Sequence, residues 1–157
     1  MIDVFDNVLE DHYAILIDDE IKKILWRYDY HSNREKPNKH WHVLCGHNEE
    51  ECGKLGYLWA HDLFQAFTNK YDFVKKYKVN GYERIYCNAH THGIEPHIHK
   101  DDGDFTMIYF HDWIGKQSGV VVQQYLKKRQ MIEAVLFMQP NIKIFKWISM
   151  SITEETD

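Results

Sequence analysis

The sequence predicts an α+β domain in which short strands form a sandwich or jelly roll and helices pack on one side of it. The chain has 157 residues, a length that suits a single domain. Aromatic residues make up 15% of the chain, as is typical of a core rich in β-structure. Helical periodicity is confined to the first half, whereas short β-like runs between turn residues fill the second half.

The first half is predicted to be rich in helix. A partial helix is expected near 16–21 and a strand over 24–30, and the polar segment 31–39, which contains Pro37, is predicted to be a loop. The clearest helix is predicted over 54–77, where apolar residues recur at helical spacing. This apolar stripe consists of Leu55, Leu58, Trp59, Leu63, Phe67, Tyr71, Val74 and Tyr77.

Strands dominate after a turn that is predicted at Asn80-Gly81. Gly, Asp, Asn and Pro residues separate the β-like runs, which lie at 82–87, 105–110, 119–122, 132–137 and 142–148. Several short strands with turns between them are typical of a sandwich or jelly roll. The prediction is therefore one domain over 1–157, with helix-rich support over 1–80 and a jelly-roll core over 81–157.

Composition excludes several classes of protein. The formal net charge of -5 argues against a general binder of nucleic acid, because such binding depends largely on Lys and Arg. No apolar run approaches the roughly 18 to 20 residues of a membrane span, and no secretory signal is recognised at the N-terminus. The three cysteines, Cys45, Cys52 and Cys87, form no even disulfide framework. A reduced, cytoplasmic location is expected.

The stretch 88–104 carries the residues most suited to chemistry. Residues two apart on an extended chain point to the same side, so His97, His99 and Asp101 can project together. Imidazole plus carboxylate is the ligand set of non-haem Fe(II), Mn(II) or Zn(II). A His-x-Asp pair supplies two of the three protein ligands that octahedral iron needs, but the same pattern also occurs in solvated turns.

An ordered set of motifs surrounds this pair. It comprises Arg84-Ile85-Tyr86-x-Asn88-x-x-Thr91-x-Gly93, His99-x-Asp101-Asp102-x-Asp104-x-Thr106-x-x-Tyr109, Trp113 and Gly119. The set resembles the iron(II)- and 2-oxoglutarate-dependent dioxygenases, and it is most similar to their prolyl-4-hydroxylase-like branch of viruses and bacteriophages. The similarity covers roughly 82–137, and the helices before it resemble the family's supporting helices.

The resemblance implies a double-stranded β-helix, which is a jelly roll, with Fe(II) near its open end and 2-oxoglutarate as cosubstrate. It implies His99 and Asp101 as metal ligands. The positions that it implies for the 2-oxoglutarate pocket are Tyr86, Asn88, Thr106, Tyr109 and, as a cation in the last segment, Lys143. The expected reaction is hydroxylation of a peptide or protein side chain or of a small molecule, in the host cytoplasm if the chain is viral.

The chain departs from the family towards its C-terminus. No histidine follows His111 and no arginine follows Arg129, so the family's distal metal ligand and its carboxylate-binding arginine are unmatched. His97 is a candidate substitute ligand. One alternative is an inactive jelly roll that binds a partner protein. A second alternative is a cupin-like metal protein, whose first motif resembles Pro96-His97-x-His99 with Asp104.

A second group of metal-capable residues lies earlier in the chain. The spacing His42-x-x-Cys45-x-His47-x-x-x-x-Cys52 could hold zinc. The residues between and after them read as a polar loop, however, and the spacing matches no common zinc module. A polar loop is therefore the favoured interpretation, and a zinc site is the alternative.

Overall fold

The computed structural model describes residues 2–31, 39–91, 104–111, 118–124 and 144–154. Within these ranges, all strands belong to one antiparallel sheet, and the helices pack on one of its faces. The predicted α+β class is confirmed at this level. In the same ranges, no helix is long and apolar enough to cross a membrane.

Helices and strands are interspersed along the first half of the chain. The strands are β1 (Ile2–Asp6), β2 (Arg27–Tyr30), β3 (His40–Gly46), β4 (Val79–Thr91), β5 (Phe105–His111), β6 (Ser118–Gln124) and β7 (Ile144–Glu154). The helices are α1 (Asp11–Lys23), α2 (Glu49–Leu55), α3 (Leu58–Lys70) and α4 (Phe73–Tyr77).

The strand order of the sheet is β1-β6-β5-β7-β4-β3-β2, and every neighbouring pair is antiparallel. The central strand β7 includes most of the run predicted at 142–148. It pairs with β4 from Val79↔Glu154 to Thr91↔Ile144. The segment 1–80, predicted as helix-rich support, contributes β1, β2 and β3 to the same sheet. Strands β1 and β3 were not predicted from the sequence.

The core lies between the helices and one face of the sheet. Ile17 and Ile21 of α1 are four residues apart, as are Leu63 and Phe67 of α3, so each pair lies on one side of its helix. All four side chains are 3% exposed or less. Burying a side chain of this size stabilises the fold by about 1.5–3 kcal/mol relative to leaving it in water.

Alternate side chains of each strand face this core, so the sheet has a core face and an opposite face. Phe105, Met107 and Tyr109 of β5 belong to the core, and Thr106 and Ile108 between them lie on the opposite face. The core-facing positions of β3 and β4 are Val43, Cys45, Ile85 and Cys87. The intervening residues of these strands therefore point away from the helices.

The single helix predicted over 54–77 is interrupted twice. Helix α2 ends at Gly56, whose left-handed φ of 82° turns the chain so that the N–H of Tyr57 donates to the carbonyl oxygen of Cys52 at 2.7 Å. Helix α3 ends before Asp72, which has a φ of 47°. Most of the apolar stripe packs against the core, whereas Leu55 and Leu58 are exposed. Periodicity alone does not detect a change in backbone direction.

The turn predicted at Asn80-Gly81 is instead part of β4. The residue with left-handed geometry comes earlier, at Lys78, whose φ is 51°. The strands predicted at 105–110 and 119–122 correspond to β5 and β6. The strand predicted at 132–137 lies outside the described residues.

Candidate functional site

The sheet face that points away from the helices carries polar side chains from strands β2, β3, β4 and β5. Tyr86 and Asn88 of β4 and Thr106 of β5 are 6%, 8% and 2% exposed, so this face is also buried. Buried polar groups need partners, and convergent polar groups in a buried setting are typical of ligand sites. The polar cluster is defined here as Tyr30, His42, Arg84, Tyr86, Asn88 and Thr106.

Strand register sets the width of this cluster. Arg84 and Thr106 both pair with Ser151, because β7 lies between β4 and β5. Neighbouring strands are about 4.8 Å apart, so the Cα atoms of Arg84 and Thr106 are separated by roughly 10 Å.

Arg84 is the cation of the polar cluster. The central carbon of its guanidinium group is 5.5 Å from the centroid of the Tyr86 ring, which is within cation–π distance. A guanidinium group binds carboxylates through two parallel hydrogen bonds. Because Tyr86 and Thr106 add hydroxyl donors on the same face, this side of the cluster suits a carboxylate group.

His42 is held in one orientation by two neighbours. Its Nδ1–H donates a hydrogen bond of 2.8 Å to Oδ1 of Asn88. Its ring stacks on the Tyr30 ring with 3.9 Å between centroids and 13° between planes. With the proton on Nδ1, Nε2 carries a lone pair, and among the described residues it has no hydrogen-bond partner.

The surroundings of His42 favour the neutral imidazole. Burial lowers its pKa below the usual value of 6.5, and the positive charge of Arg84 acts in the same direction. The hydrogen bond with Asn88 opposes them in part. A neutral imidazole with a fixed tautomer can bind a metal ion or accept a hydrogen bond through its other nitrogen.

A β-bulge in the edge strand β2 brings Tyr30 to His42. The pairing register shifts between Tyr28 and Tyr30, so Asp29 is an extra residue, and its φ of 124° is rare for a residue with a side chain. The bulge separates the two tyrosines, since Tyr28 contacts the Trp41 ring at 5.0 Å whereas Tyr30 stacks on His42. Bulges of this kind re-aim side chains next to binding sites.

A cleft of about 650 Å³ opens beside His42. Tyr30 and Leu44 line it from the sheet, and Leu25 and Leu55 line it from the neighbouring segments. Leu25 is 82% exposed and Leu55 is 47% exposed, so apolar surface faces solvent there. Small-molecule sites typically have volumes of roughly 300–1,000 Å³, and this cleft lies within that range.

Three of the predicted cofactor-binding residues, Tyr86, Asn88 and Thr106, belong to the polar cluster. Tyr109 does not, because the alternation of β5 places it on the helix side, where it is fully buried. Burial, and then the charge of Asp18, raise the pKa of Tyr109. Its hydroxyl has no hydrogen-bond partner among the described residues. The structure therefore makes Tyr109 a core residue and separates it from the other predicted pocket residues.

The remaining predicted site residues, His97, His99, Asp101 and Lys143, lie outside the described residues. Within the described ranges, no group of three or more His, Cys, Asp or Glu side chains could hold a metal ion. The described face contributes one oriented imidazole, that of His42, beside a cation and hydroxyl groups. The guanidinium and hydroxyl groups are hydrogen-bond donors that suit a carboxylate group.

Arg84 and His42 were not predicted as site residues. Arg84 alternates with Tyr86 and Asn88, so the period of two in β4 already places all three on one face. His42 was named only as part of the possible zinc pattern, which does not indicate the polar face. Its role depends on the pairing of β3 with β4, which brings together residues 46 positions apart in the chain.

The four residues of the possible zinc pattern do not converge. His42 lies on the polar face, whereas Cys45 and Cys52 are fully buried on the helix side. Nδ1–H of His47 donates instead to the carbonyl oxygen of Glu83 at 2.8 Å. The alternation of β3 places His42 and Cys45 on opposite faces of the sheet.

No known family profile and no curated protein matches this chain. Among solved structures, it is similar to a viral collagen prolyl hydroxylase from Paramecium Bursaria Chlorella virus-1, solved as its 2OG complex. The two share 12% sequence identity, the alignment covers 96% of this chain and 94% of the other, and the TM-score is 0.48. Function is therefore inferred from the residues of this chain.

Proposed function

We propose that this protein is an iron(II)- and 2-oxoglutarate-dependent dioxygenase that hydroxylates a peptide or protein side chain or a small molecule. The observation that carries the proposal is the carboxylate-binding side of the polar cluster, formed by Arg84, Tyr86 and Thr106 on a buried sheet face. Tyr86 and Thr106 are also residues that the sequence motifs assign to the cosubstrate pocket. The sequence motifs and the arrangement of these side chains on one face both support the proposal.

In this proposal the residues of the sheet bind and orient the cosubstrate. The Arg84 guanidinium group binds the carboxylate remote from the metal, and the hydroxyl groups of Tyr86 and Thr106 donate hydrogen bonds to it. Burial of Tyr86 and Thr106 keeps water away from these bonds, which strengthens them. Bound iron and 2-oxoglutarate supply the oxidising chemistry, and the protein holds them in place.

The metal in this proposal is bound by His99 and Asp101, with His97 as a further candidate. Imidazole and carboxylate groups are the ligands that non-haem iron prefers. The architecture proposed around them is a jelly roll. Burial on both faces of the described sheet supports a second layer of structure over the polar cluster.

An anaerobic titration with Fe(II) and 2-oxoglutarate tests the proposal. The wild-type protein is expected to develop the weak visible band of a chelated iron complex. His99→Ala and Asp101→Ala should each abolish iron binding while far-UV circular dichroism stays native. Retained iron affinity in both variants would exclude these ligands. His97→Ala should weaken binding nearly as much as His99→Ala if His97 is a ligand.

The role of Arg84 gives a separate prediction. Arg84→Met keeps an aliphatic stem but removes the charge, so the affinity for 2-oxoglutarate should fall by about 10- to 100-fold, equivalent to about 1.5–3 kcal/mol. Isothermal titration calorimetry with 2-oxoglutarate in the presence of metal measures this change. Lys75→Met is the control, because Lys75 is exposed on α4 at the opposite side of the sheet. Equal affinities in both variants and the wild type would show that Arg84 does not bind the carboxylate.

A second candidate function is an inactive jelly roll that binds a partner protein. The absence of any histidine after His111 favours it, since the family's distal ligand is then missing. Even partners that only orient a metal ligand typically change affinity or activity by about 10- to 100-fold when they are lost. If Fe(II) fails to bind, or binds without any response to 2-oxoglutarate, this second function replaces the first.

A further inference from the structure

We infer that the cleft of about 650 Å³ binds a neutral small molecule with an apolar body and a carboxamide group, whose hydrogen-bond partners are His42 and Arg27. The amide N–H would donate to Nε2 of His42, and the amide oxygen would accept from the Arg27 guanidinium group. This site needs neither metal nor 2-oxoglutarate, so the inference goes beyond the proposed function and does not depend on it.

His42 contributes an oriented hydrogen-bond acceptor to the wall of the cleft. Its Nδ1–H is bonded to Oδ1 of Asn88 at 2.8 Å, and the Tyr30 ring stacks on the imidazole, so both the tautomer and the ring plane are fixed. Nε2 has no partner among the described residues and is not one of their buried polar atoms that lack one, so it is accessible to solvent. An accessible lone pair on a neutral, oriented ring suits a ligand N–H.

Arg27 supplies the complementary donor. It lies directly opposite His42 in the register of β2 and β3. Opposite residues of an antiparallel pair project from the same face, with Cβ atoms about 4.5–5.5 Å apart. Arg27 also lines the cleft, and no carboxylate of the described residues forms an ion pair with it. A donor and an acceptor at this spacing match the two ends of one amide group.

The charges at the cleft favour a neutral ligand. Its wall contains the carboxylates of Asp29 and Glu51 besides the guanidinium group of Arg27. Asp29 forms an ion pair with Nζ of Lys39, so the two cations and two carboxylates of this group balance. A ligand carboxylate would gain the attraction of Arg27 but would also be repelled by Glu51. A carboxamide bonds to the same groups without bringing a charge into the cleft.

The remaining wall of the cleft suits an apolar body. Four large hydrophobic side chains that are exposed to solvent line this one cleft, namely Leu25, Tyr28, Tyr30 and Leu55. Single exposed hydrophobic residues are normal on a protein surface, whereas a contiguous group of them is typical of a binding site. A wall that is mainly apolar, with a few polar groups that fix orientation, is the usual composition of a small-molecule site.

Three probes that differ in one group test the assignment. Hydrocinnamamide carries both donor and acceptor, methyl hydrocinnamate carries the acceptor alone, and hydrocinnamate is the corresponding anion. Each is titrated into the wild-type protein at neutral pH without added metal or 2-oxoglutarate, followed by nuclear magnetic resonance. The Kd of the amide should be about 3- to 10-fold lower than that of the ester, the effect of one hydrogen bond. It should also be lower than that of the anion.

The variant His42→Phe keeps an aromatic ring beside Tyr30 but removes Nε2. It should raise the Kd of hydrocinnamamide to that of methyl hydrocinnamate, and it should leave the Kd of the ester within about twofold. His12→Phe is the matched control, because His12 is exposed on α1 and does not line the cleft. Far-UV circular dichroism checks that both variants are folded. Equal losses in the two variants would contradict a role for His42.

A further measurement uses the wild-type protein alone. Hydrocinnamamide should move the ¹⁵N resonance of Nε2 of His42 and leave the His12 resonances in place. A His42 resonance that does not move, equal Kd values for amide and ester, or tighter binding of the anion overturns the inference. Tighter binding of a capped peptide that contains asparagine also overturns it, because the amide would then belong to a protein side chain. The outcome of the iron titration does not affect any of these results.

Discussion

The two tyrosine hydroxyls of Tyr82 and Tyr109 differ in their partners although both lie on the helix side of the sheet. The Tyr82 hydroxyl is 2.9 Å from Nδ1 of His61 and 3.6 Å from Sγ of Cys52. Tyr109 is fully buried, and among the described residues its hydroxyl has no partner. Burial raises the pKa of both groups, because a phenolate is poorly solvated in the core.

Replacing each tyrosine by phenylalanine should therefore have opposite effects. Tyr109→Phe removes a buried hydroxyl that lacks a partner, so the free energy of unfolding should rise by about 1 kcal/mol. Tyr82→Phe breaks a hydrogen bond and leaves Nδ1 of His61 without its partner, so the free energy of unfolding should fall by about 1 kcal/mol. Urea unfolding followed by circular dichroism measures both. A marked destabilisation in Tyr109→Phe would show that its hydroxyl is bonded after all.

Tyr82 and Tyr109 also predict how the stability of the fold changes at alkaline pH. The folded pKa values lie above the usual value of 10, so the folded state keeps protons that the unfolded state loses. Stability is then fully present below about pH 10 and falls as the pH rises above it. Tyr109→Phe should make this fall shallower. An unfolding free energy with the same slope above pH 10 in the variant and the wild type would contradict the assigned shift.

At the scale of elements, Gly46 makes the junction between β3 and α2 possible. Its φ is 148°, and a Cβ atom built there would lie 2.8 Å from both the backbone nitrogen and Sγ of Cys52. The first turn of α2 therefore packs directly on the backbone of β3. Asn48 begins α2 by accepting a hydrogen bond of 2.9 Å from the N–H of Glu51.

Gly46→Ala should destabilise the protein by about 3 kcal/mol, because the new methyl group meets backbone and the left-handed φ disfavours a side chain. Gly53→Ala is the matched control. Gly53 lies within α2, and a Cβ atom there would have nothing within 4 Å. This control should stabilise the protein by about 0.5–1 kcal/mol, owing to better helix propensity. Thermal unfolding of both variants measures the two changes in stability, and equal melting temperatures would contradict the predicted contact.

Helices and strands could be predicted from the sequence where the local residue pattern agrees with the way the element packs in the fold. The strand at 105–110 is rich in aromatic and β-branched residues, so its composition indicates a strand directly. Strand β3 was missed because it mixes histidine and cysteine on two different faces, a pattern that also resembles a metal loop. The breaks in 54–77 were missed because they depend on single residues such as Gly56. On the polar face, Tyr86 and Thr106 were predicted, but His42 requires knowledge of strand pairing.

At the scale of the whole molecule, the sheet is assembled from segments far apart in the chain. Strand β1 forms one edge and pairs with β6, while β2 forms the other edge. Asp3 of β1 accepts hydrogen bonds from Nζ of Lys76, at 3.1 Å, and from the Tyr77 hydroxyl, which tie the first strand to α4. The polar cluster extends from β2 to β5 and crosses β7. It therefore forms only when strands from the N-terminal and C-terminal parts of the chain have paired in one sheet.

Because the polar cluster forms only in the folded sheet, ligands that bind it should stabilise the whole molecule. Metal together with 2-oxoglutarate at about 100 times its Kd should raise the free energy of unfolding by about 2.7 kcal/mol. Arg84→Met at the same ligand concentration should gain only about 0.4–1.4 kcal/mol, because a 10- to 100-fold increase in Kd leaves the ligand at about one to ten times its Kd. Anaerobic urea unfolding with Co(II) and 2-oxoglutarate measures both proteins. A gain of equal size in both would place the cosubstrate away from Arg84, and no gain in either would favour the partner-binding jelly roll.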